Sequence, residues 1–562
     1  MPKELLTLQC GHYANFVGTH FWNLQEAGFS YNPQQPTSKE IDVGVLHREG
    51  ETLRGEPTFT PRLVLCDLKG SLNSLQANGG LYDDGYHEKT NSESLSWNGP
   101  VTALKINDVK PNKYIEEVRK LQKAVPVVEN EIPKRPRQAD YQLEESVSTW
   151  SDFLGVLLHP RSIVSLKNYW LDDAPSFELY GLGLEEYKQA AVREPLENSI
   201  RYFVEESDNL QGFQLLLDAD DGFSGFTAAL LDHLADDYQS KPILMYPLIP
   251  TPVLPAEIDP RKDFYRLFNL ALTLAGSSDD NNSHCLSVPL SVTAKLTRPK
   301  QYLDQLPYVR FQPIAYHTSA ILAGAVDSIS VLSRLSSDEL VPLRDIISAT
   351  TIHQRKVAAM STMIPFPLRA TDSLFSSLKA IDAEYLPVSS LTPHVTTPLI
   401  DSQNRCYSQV MSLRGIPQER WKCSTEEIQY HRLSYEVASM PASRLLENFM
   451  QSYCPNTFGV GRVMEFPCHT RVPFPQFFSS EVSENGFLQS NHKRLEDVQK
   501  LPIFAGIHST DKVTDLLTEL KDACSKENMA KYFKVVDSGL ECDEFKESFE
   551  RLESLSGRYR EC

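Results

Sequence analysis

The chain has no C-x-x-C pair among its ten cysteines, and its fourteen histidines include neither H-E-x-x-H nor a Cys/His spacing suited to zinc. Those absences remove the common zinc and thioredoxin-like chemistries. Positive charge is also short. The formal net charge is −19, which argues against a general nucleic-acid binder, because phosphate neutralisation by Lys and Arg supplies most non-specific affinity. The one basic cluster, Lys134, Arg135 and Arg137, lies among Pro133 and Pro136 and reads as a solvated linker. Scattered cysteines behind no secretory signal read as reduced cytosolic thiols. The start, MPKELLTLQC, is neither Arg-rich nor acid-poor, so import into the mitochondrial matrix is not expected. No stretch approaches the roughly 18 to 20 apolar residues of a membrane helix. The nearest, Ala320 to Leu332, carries Asp327, Ser328 and Ser330 and reads as a buried helix. There is no internal repeat, and 562 residues with 41% apolar content suffice for two or three ordinary cores.

What the chain does have is a strand, a small-residue turn and a helix within residues 205–238. Phe213 to Leu217 form a continuous apolar run, and Phe226 to Tyr238 are amphipathic, with Phe226, Leu230 and Leu234 on one face. Such a strand–turn–helix cradles phosphate in α/β proteins, since free N–H groups and the helix dipole both point at the anion. The turn between them is Asp220, Asp221, Gly222, Phe223, Ser224 and Gly225. Gly222-Phe-Ser-Gly225 is not a hydrolase nucleophile elbow, because Phe226 stands where G-x-S-x-G needs glycine.

This stretch resembles tubulin, whose phosphate loop is Gly-Gly-Gly-Thr-Gly-Ser-Gly, followed by a helix ending in an acidic pair and Tyr, here Asp236, Asp237 and Tyr238. Leu210-Gln-Gly-Phe-Gln214 matches the five tubulin residues before it. Gln9, Gly11, Asn15, Gly18, Phe21 and Trp22 fall in tubulin register. Pro61-Arg-Leu-Val-Leu-Cys-Asp-Leu68 is similar to tubulin's Pro-Arg-Ala-Ile-Leu-Val-Asp-Leu, and Leu306-Pro-Tyr-Val-Arg-Phe311 resembles the segment after its central helix. The pattern as a whole, including TPRLVLCDLKGSLNSL, resembles the Misato family of tubulin-related proteins.

The resemblance implies an α/β, tubulin-like GTPase-type fold: a parallel sheet flanked by helices, then an α+β and helical C-terminal region. Its expected parts are residues 1–123, a linker at 124–142, a second segment at 143–335 completing the nucleotide-type domain, and 336–562. A polar surface loop is expected from Gln76 to Gly99, and an extended, Pro-rich crossing from Lys241 to Pro255. The terminal stripe of Phe545, Phe549, Leu552 and Leu555 reads as docking onto its own domain rather than onto a partner.

At the implied nucleotide pocket the residues are Gly11, His12, Asn15, Lys69, Gly222, Ser224 and Gly225. Asp220, Asp221 and Phe223 replace three loop glycines. An aspartate about 4 Å from a phosphate charge costs on the order of 4 kcal/mol at an effective dielectric near 20, so two rival the ~8 kcal/mol of a micromolar affinity. The resemblance places Lys69 at a magnesium-associated acidic position, Lys300 near the acid of the catalytic loop, and Val288 where tubulins read guanine with Asn. His12 and Tyr13, in the first loop, replace the Gln and Cys beneath the nucleotide; His12 either binds an anion or pairs with Asp220. The leading expectation is a filled pocket, no cofactor, no metal and no enzymatic activity. The alternative is a divergent GTP-binding or GTPase assembly protein, with Lys69 neutralising Asp220 or Asp221 to leave room for GTP. The resemblance further implies regulation of mitochondrial distribution, morphology and fusion by a cytoplasmic protein peripherally bound at the outer mitochondrial membrane. Implied partners are proteins: mitochondrial fusion machinery, the cytosolic chaperonin or tubulin-related proteins.

Overall fold

The computed structural model describes residues 3–29, 40–51, 57–81, 110–123, 137–171, 174, 176–250, 259–279, 284–296, 306–336, 339–384, 388–397, 399–401, 404–431, 434–455, 457–489, 496–524 and 542–560. Lys134, Arg135, Lys300, most of the 124–142 linker, residues 82–99 of the polar loop and residues 251–258 of the Pro-rich crossing lie outside that set.

Strand β1 (Leu5–Cys10) is buried along its length and passes through Gly11 into helix α1 (His12–Gly28). The hairpin of β2 (His47–Glu51) and β3 (Pro57–Pro61) leads into β4 (Leu63–Lys69). Then come α2 (Lys113–Lys123), the single turn α3 (Leu143–Ser146), β5 (Ile163–Trp170), α4 (Tyr180–Lys188) and α5 (Ala190–Glu205). Three strand–helix repeats follow: β6 (Gly212–Asp218) with α6 (Phe223–Asp237), β7 (Ile243–Leu248) with α7 (Pro260–Ser277), and β8 (Cys285–Ser287) before α8 (Ala315–Ser330). The runs LLTLQC, GFQLLLD and ILMYPL have no polar alternation, as befits strands covered on both faces. They form the centre of a six-stranded sheet, β5-β4-β1-β6-β7-β8, in which every pairing is parallel.

Beyond α9 (Leu343–Thr350) the chain builds a second sheet. Its elements are β9 (Ala359–Met363), α10 (Leu374–Glu384), β10 (Ser389–Ser390), β11 (Cys406–Arg414), the short helices α11 (Thr425–His431) and α12 (Tyr435–Ala438), α13 (Ala442–Tyr453) and β12 (Phe458–Met464). A small pair, β13 (Cys468–His469) and β14 (Lys500–Leu501), precedes β15 (Ile503–Thr510), α14 (Val513–Ala523) and α15 (Cys542–Arg560). The five strands run β10-β9-β15-β11-β12, antiparallel except for β11 with β12.

Helix α8 is buried from Tyr316 to Ser330 because it lies between the layers, against α1 on one side and β15 and β11 on the other. It is thus the central helix, and it begins after Leu306–Phe311. The similarity of that segment to one following a central helix is therefore local: here the segment precedes it. The terminal helix α15 docks on its own chain, with Phe545 stacked on Phe268 of α7 at 5.1 Å and Leu552, Leu555 and Tyr559 buried. Among the described residues no helix is long and apolar enough to cross a membrane.

Candidate functional site

Strand β1 pairs with β4 on one side and β6 on the other, so chain order reverses at β1. In open parallel sheets the crevice beyond the carboxyl ends of strands at such a reversal is the usual ligand site. The two turns that meet there are Gly11, between β1 and α1, and residues 219–222, between β6 and α6.

Helix α1 begins at His12, one residue after the strand, so His12 and Tyr13 stand in its first turn rather than in a loop. Gly11 permits this with φ +123°. The free N–H groups of that first turn are bound by the chain itself. Asp218, at the end of β6, accepts from Tyr13 N–H at 2.9 Å through Oδ2 and from Ala14 N–H at 2.7 Å through Oδ1. A carboxylate at a helix N-terminus satisfies both the donors and the dipole, and here Asp218 takes that place at α1. It also fixes Gly11, since a Cβ there would lie 2.4 Å from Asp218 Cγ. Burial, and then the charge of Asp220, push the Asp218 carboxyl well above the usual range, against the pull of the two backbone donors.

Beside it lies a second buried carboxylate, Asp67 of β4. Its Oδ2 accepts from Trp150 Nε1 at 2.7 Å and Asn15 Nδ2 at 3.1 Å and lies 3.1 Å from His12 Nδ1, while its Oδ1 takes the Leu68 N–H at 2.7 Å. His12 therefore pairs with Asp67, not Asp220. Asn15 also donates to Cys66 O at 3.1 Å. Tyr13 points away from the crevice, with its hydroxyl donating to Thr318 Oγ1 of α8 at 2.9 Å.

The second turn is closed by packing. Helix α6 starts at Phe223, three residues earlier than the apolar pattern suggests, because Asp221 Oδ1 caps the Phe223 N–H at 2.8 Å. Gly222 and Gly225 serve close approach: a Cβ on Gly222 would lie 2.7 Å from the Phe177 ring, and one on Gly225 1.9 Å from Tyr180 O. The ring of Phe177 meets Phe223 edge-on at 5.1 Å, and its carbonyl accepts the Gly222 N–H at 2.9 Å. Ser224 is buried and its hydroxyl donates to Asp221 O at 2.5 Å. Asn269 of α7 fastens the assembly, donating to Asp220 O at 2.9 Å and Glu178 O at 2.8 Å and accepting the Tyr180 N–H at 3.0 Å. Asp220 and Asp221 are half-buried. Loss of water pushes Asp220 up to about 6 against the pull of Arg266, and pushes Asp221 well above the usual range together with Asp218 and Asp220.

Lys69 belongs to a different neighbourhood. Its ammonium lies 5.4 Å from the Trp170 ring centroid on β5 and makes no ion pair with Asp220 or Asp221. Val288 is fully buried and its N–H donates to Met245 O at 2.8 Å. The structure thus brings together Gly11, His12 and Asn15 at one turn and Gly222, Ser224 and Gly225 at the other, and leaves Lys69 aside. Sequence reasoning missed Asp218, Asp67 and Asn269. The available signal for Asp218 was a carboxylate directly ending a wholly apolar parallel strand.

Residues 3–120 match the family described as the Misato Segment II tubulin-like domain, and residues 140–335 match the tubulin domain. Among curated relatives, protein misato homolog 1 of Pongo pygmaeus is 33% identical over 586 residues, covering 100% of this chain and 98% of the relative. The Homo sapiens protein of that name is 32% identical over 584 residues, covering 99% and 98%, and the Mus musculus protein 33% over 567 residues, covering 100% and 98%.

Proposed function

The chain belongs to the Misato family of tubulin-like proteins, and we propose that it works without nucleotide chemistry, as a tubulin-like interaction protein in mitochondrial distribution, morphology and fusion. The observation that carries this reading is Asp218 bound to the Tyr13 and Ala14 N–H groups. A phosphate entering the crevice must displace that carboxylate. Leaving it buried without its donors costs on the order of 1 to 3 kcal/mol or more, and Asp220, ionised above about pH 6, adds like charge beside the incoming anion. Phe177 over Gly222 removes the room in which a phosphate would meet the turn backbone. A fixed tubulin-like surface then acts by protein contacts at the outer mitochondrial membrane, where the cytoplasmic protein docks peripherally, and its partners are proteins rather than nucleic acid.

Calorimetric titration of the purified chain with GTP and magnesium tests the reading. The expected result is no heat of binding at micromolar concentrations. Tight, magnesium-dependent binding would overturn it in favour of a divergent GTPase. The site of action is tested on intact organelles: the mitochondrial fraction of the protein should be released by carbonate and digested by added protease.

A further inference from the structure

Cys406 and Cys454 line one half-open pocket of about 400 Å³ that shares no lining residue with the crevice at β1 and β6. Cys406 is the first residue of β11, where the pairing with β15 shifts register before Ser408. Cys454 caps the C-terminus of α13 in a non-helical conformation. Cys406 thus opens β11 and Cys454 closes α13, and the residues just after Cys454 return to the start of β11: Thr457 donates to Cys406 O at 2.8 Å and Phe458 pairs in register with Ser408. The same pocket wall carries positive charge, with the Arg355 guanidinium carbon 3.6 Å and that of Arg405 5.6 Å from the Tyr407 ring centroid. Cys406 is partly exposed and Cys454 buried, so an oxidant reaches the pair through this pocket, and thiols that oxidants can reach are the ones that react.

We propose that Cys406 and Cys454 form a reversible disulfide when a hydroperoxide enters this pocket. In the first step the Cys454 thiolate attacks one peroxide oxygen, the O–O bond breaks, and hydroxide leaves and takes up a proton; Cys454 becomes a sulfenic acid. In the second, the Cys406 sulfur attacks that sulfur, the S–O bond breaks, and water departs. Two thiols and one hydrogen peroxide give one disulfide and two waters. The order of attack follows from what each thiol holds: Cys406 Sγ donates to Ser408 O at 3.4 Å and so keeps its proton. The neighbouring Cys406 thiol holds Cys454 below its ordinary value despite burial, while Cys454 and burial push Cys406 up.

The chain carries its own references. Cys10 and Cys66 are register partners on the adjacent parallel strands β1 and β4, both sealed inside the sheet. Cys423 is a partly exposed thiol pushed up by burial. The folded full-length chain is treated with graded hydrogen peroxide, remaining thiols are alkylated, and peptides are mapped by mass spectrometry. The Cys406 and Cys454 peptides should be recovered linked, and separable by dithiothreitol, at doses that leave Cys423, Cys10 and Cys66 alkylatable. In C406S, dimedone should label Cys454; in C454S, Cys406 should stay alkylatable. Oxidation of Cys423 while the pair remains reduced would overturn the proposal. So would a Cys10–Cys66 link formed at the same dose, or separate adducts on Cys406 and Cys454 without a link.

Discussion

Asp327 of α8 and Arg414 of β11 form an ion pair sealed inside the molecule, each side chain no more than 2% exposed, and it joins the central helix to the second sheet. Arg334 lies on the other carboxylate oxygen at 2.7 Å, and Gln25 of α1 donates there as well. One carboxylate thus answers two guanidiniums. Burial would raise Asp327, but Arg414 and Arg334 outweigh it and hold the carboxyl below the usual range. For Arg334, burial dominates and brings it down to about 10.

The imbalance makes the two partners unequal. Asp327→Asn strands two buried cations and should cost about 3 to 5 kcal/mol. Arg414→Met leaves the Asp327–Arg334 pair whole and should cost clearly less. Urea denaturation of both variants checks the order, and an equal loss would contradict the accounting of charge.

The terminal helix offers a second, local test. The Tyr559 hydroxyl both accepts the Val357 N–H at 3.0 Å and donates to Val357 O, while Tyr407 donates to Tyr559 O at 2.7 Å. Tyr559→Phe keeps the ring and orphans a buried backbone donor and acceptor. A loss of about 1 to 3 kcal/mol is expected. A shift in thermal midpoint no larger than that of a surface substitution would mean that α15 does not hold β9 in solution.

Legibility followed range in the chain. The apolar runs of β1 and β6, the buried character of α8 and the docking stripe of α15 are local patterns, and they stand out in sequence. The start of α1 did not, because a glycine at φ +123° turns the chain within one residue. The start of α6 did not, because Asp221 acts as a cap inside what reads as a glycine turn. The pairings of the crevice were least legible. Asp218 meets Tyr13 and Ala14 across more than two hundred positions, and nothing in the spacing of His12 distinguishes Asp67 from Asp220. Gly222 and Gly225 carry the signature of a phosphate loop yet serve helix packing, since both uses need a missing Cβ.

The acidic turn should respond to pH in a set direction. Loss of water raises the folded-state value of Asp220 to about 6, with Arg266 opposing, whereas an unfolded aspartate titrates near about 3.9. The folded chain therefore binds that proton more tightly. The contribution is complete below about 4 and is lost as pH rises through about 6. Asp220→Asn fixes a neutral side chain, so the thermal midpoint of the variant minus that of the wild type should increase between pH 4 and pH 7. A difference independent of pH would mean that the carboxyl titrates as in water.

The carboxylates of the crevice can be separated by what each one holds. Asp220→Gly with Asp221→Gly removes both carboxyl groups and loosens the turn, but the Tyr13 and Ala14 donors stay on Asp218 and the Phe177 ring stays on Gly222. Calorimetry with pyrophosphate or GDP should then give no more binding than the wild type. Adding Asp218→Ala frees both donors. Weak anion binding should emerge, on the order of millimolar, or about 4 kcal/mol. It should show no preference for guanine, because Val288 offers no side-chain hydrogen bond. The triple variant loses a helix cap of about 1 to 2 kcal/mol and gains unfolded-state entropy of up to about 1 kcal/mol at each new glycine, so circular dichroism must show it folded. Tight binding by the double variant alone would mean that Asp220 and Asp221, rather than the carboxylate at the helix terminus, exclude the nucleotide.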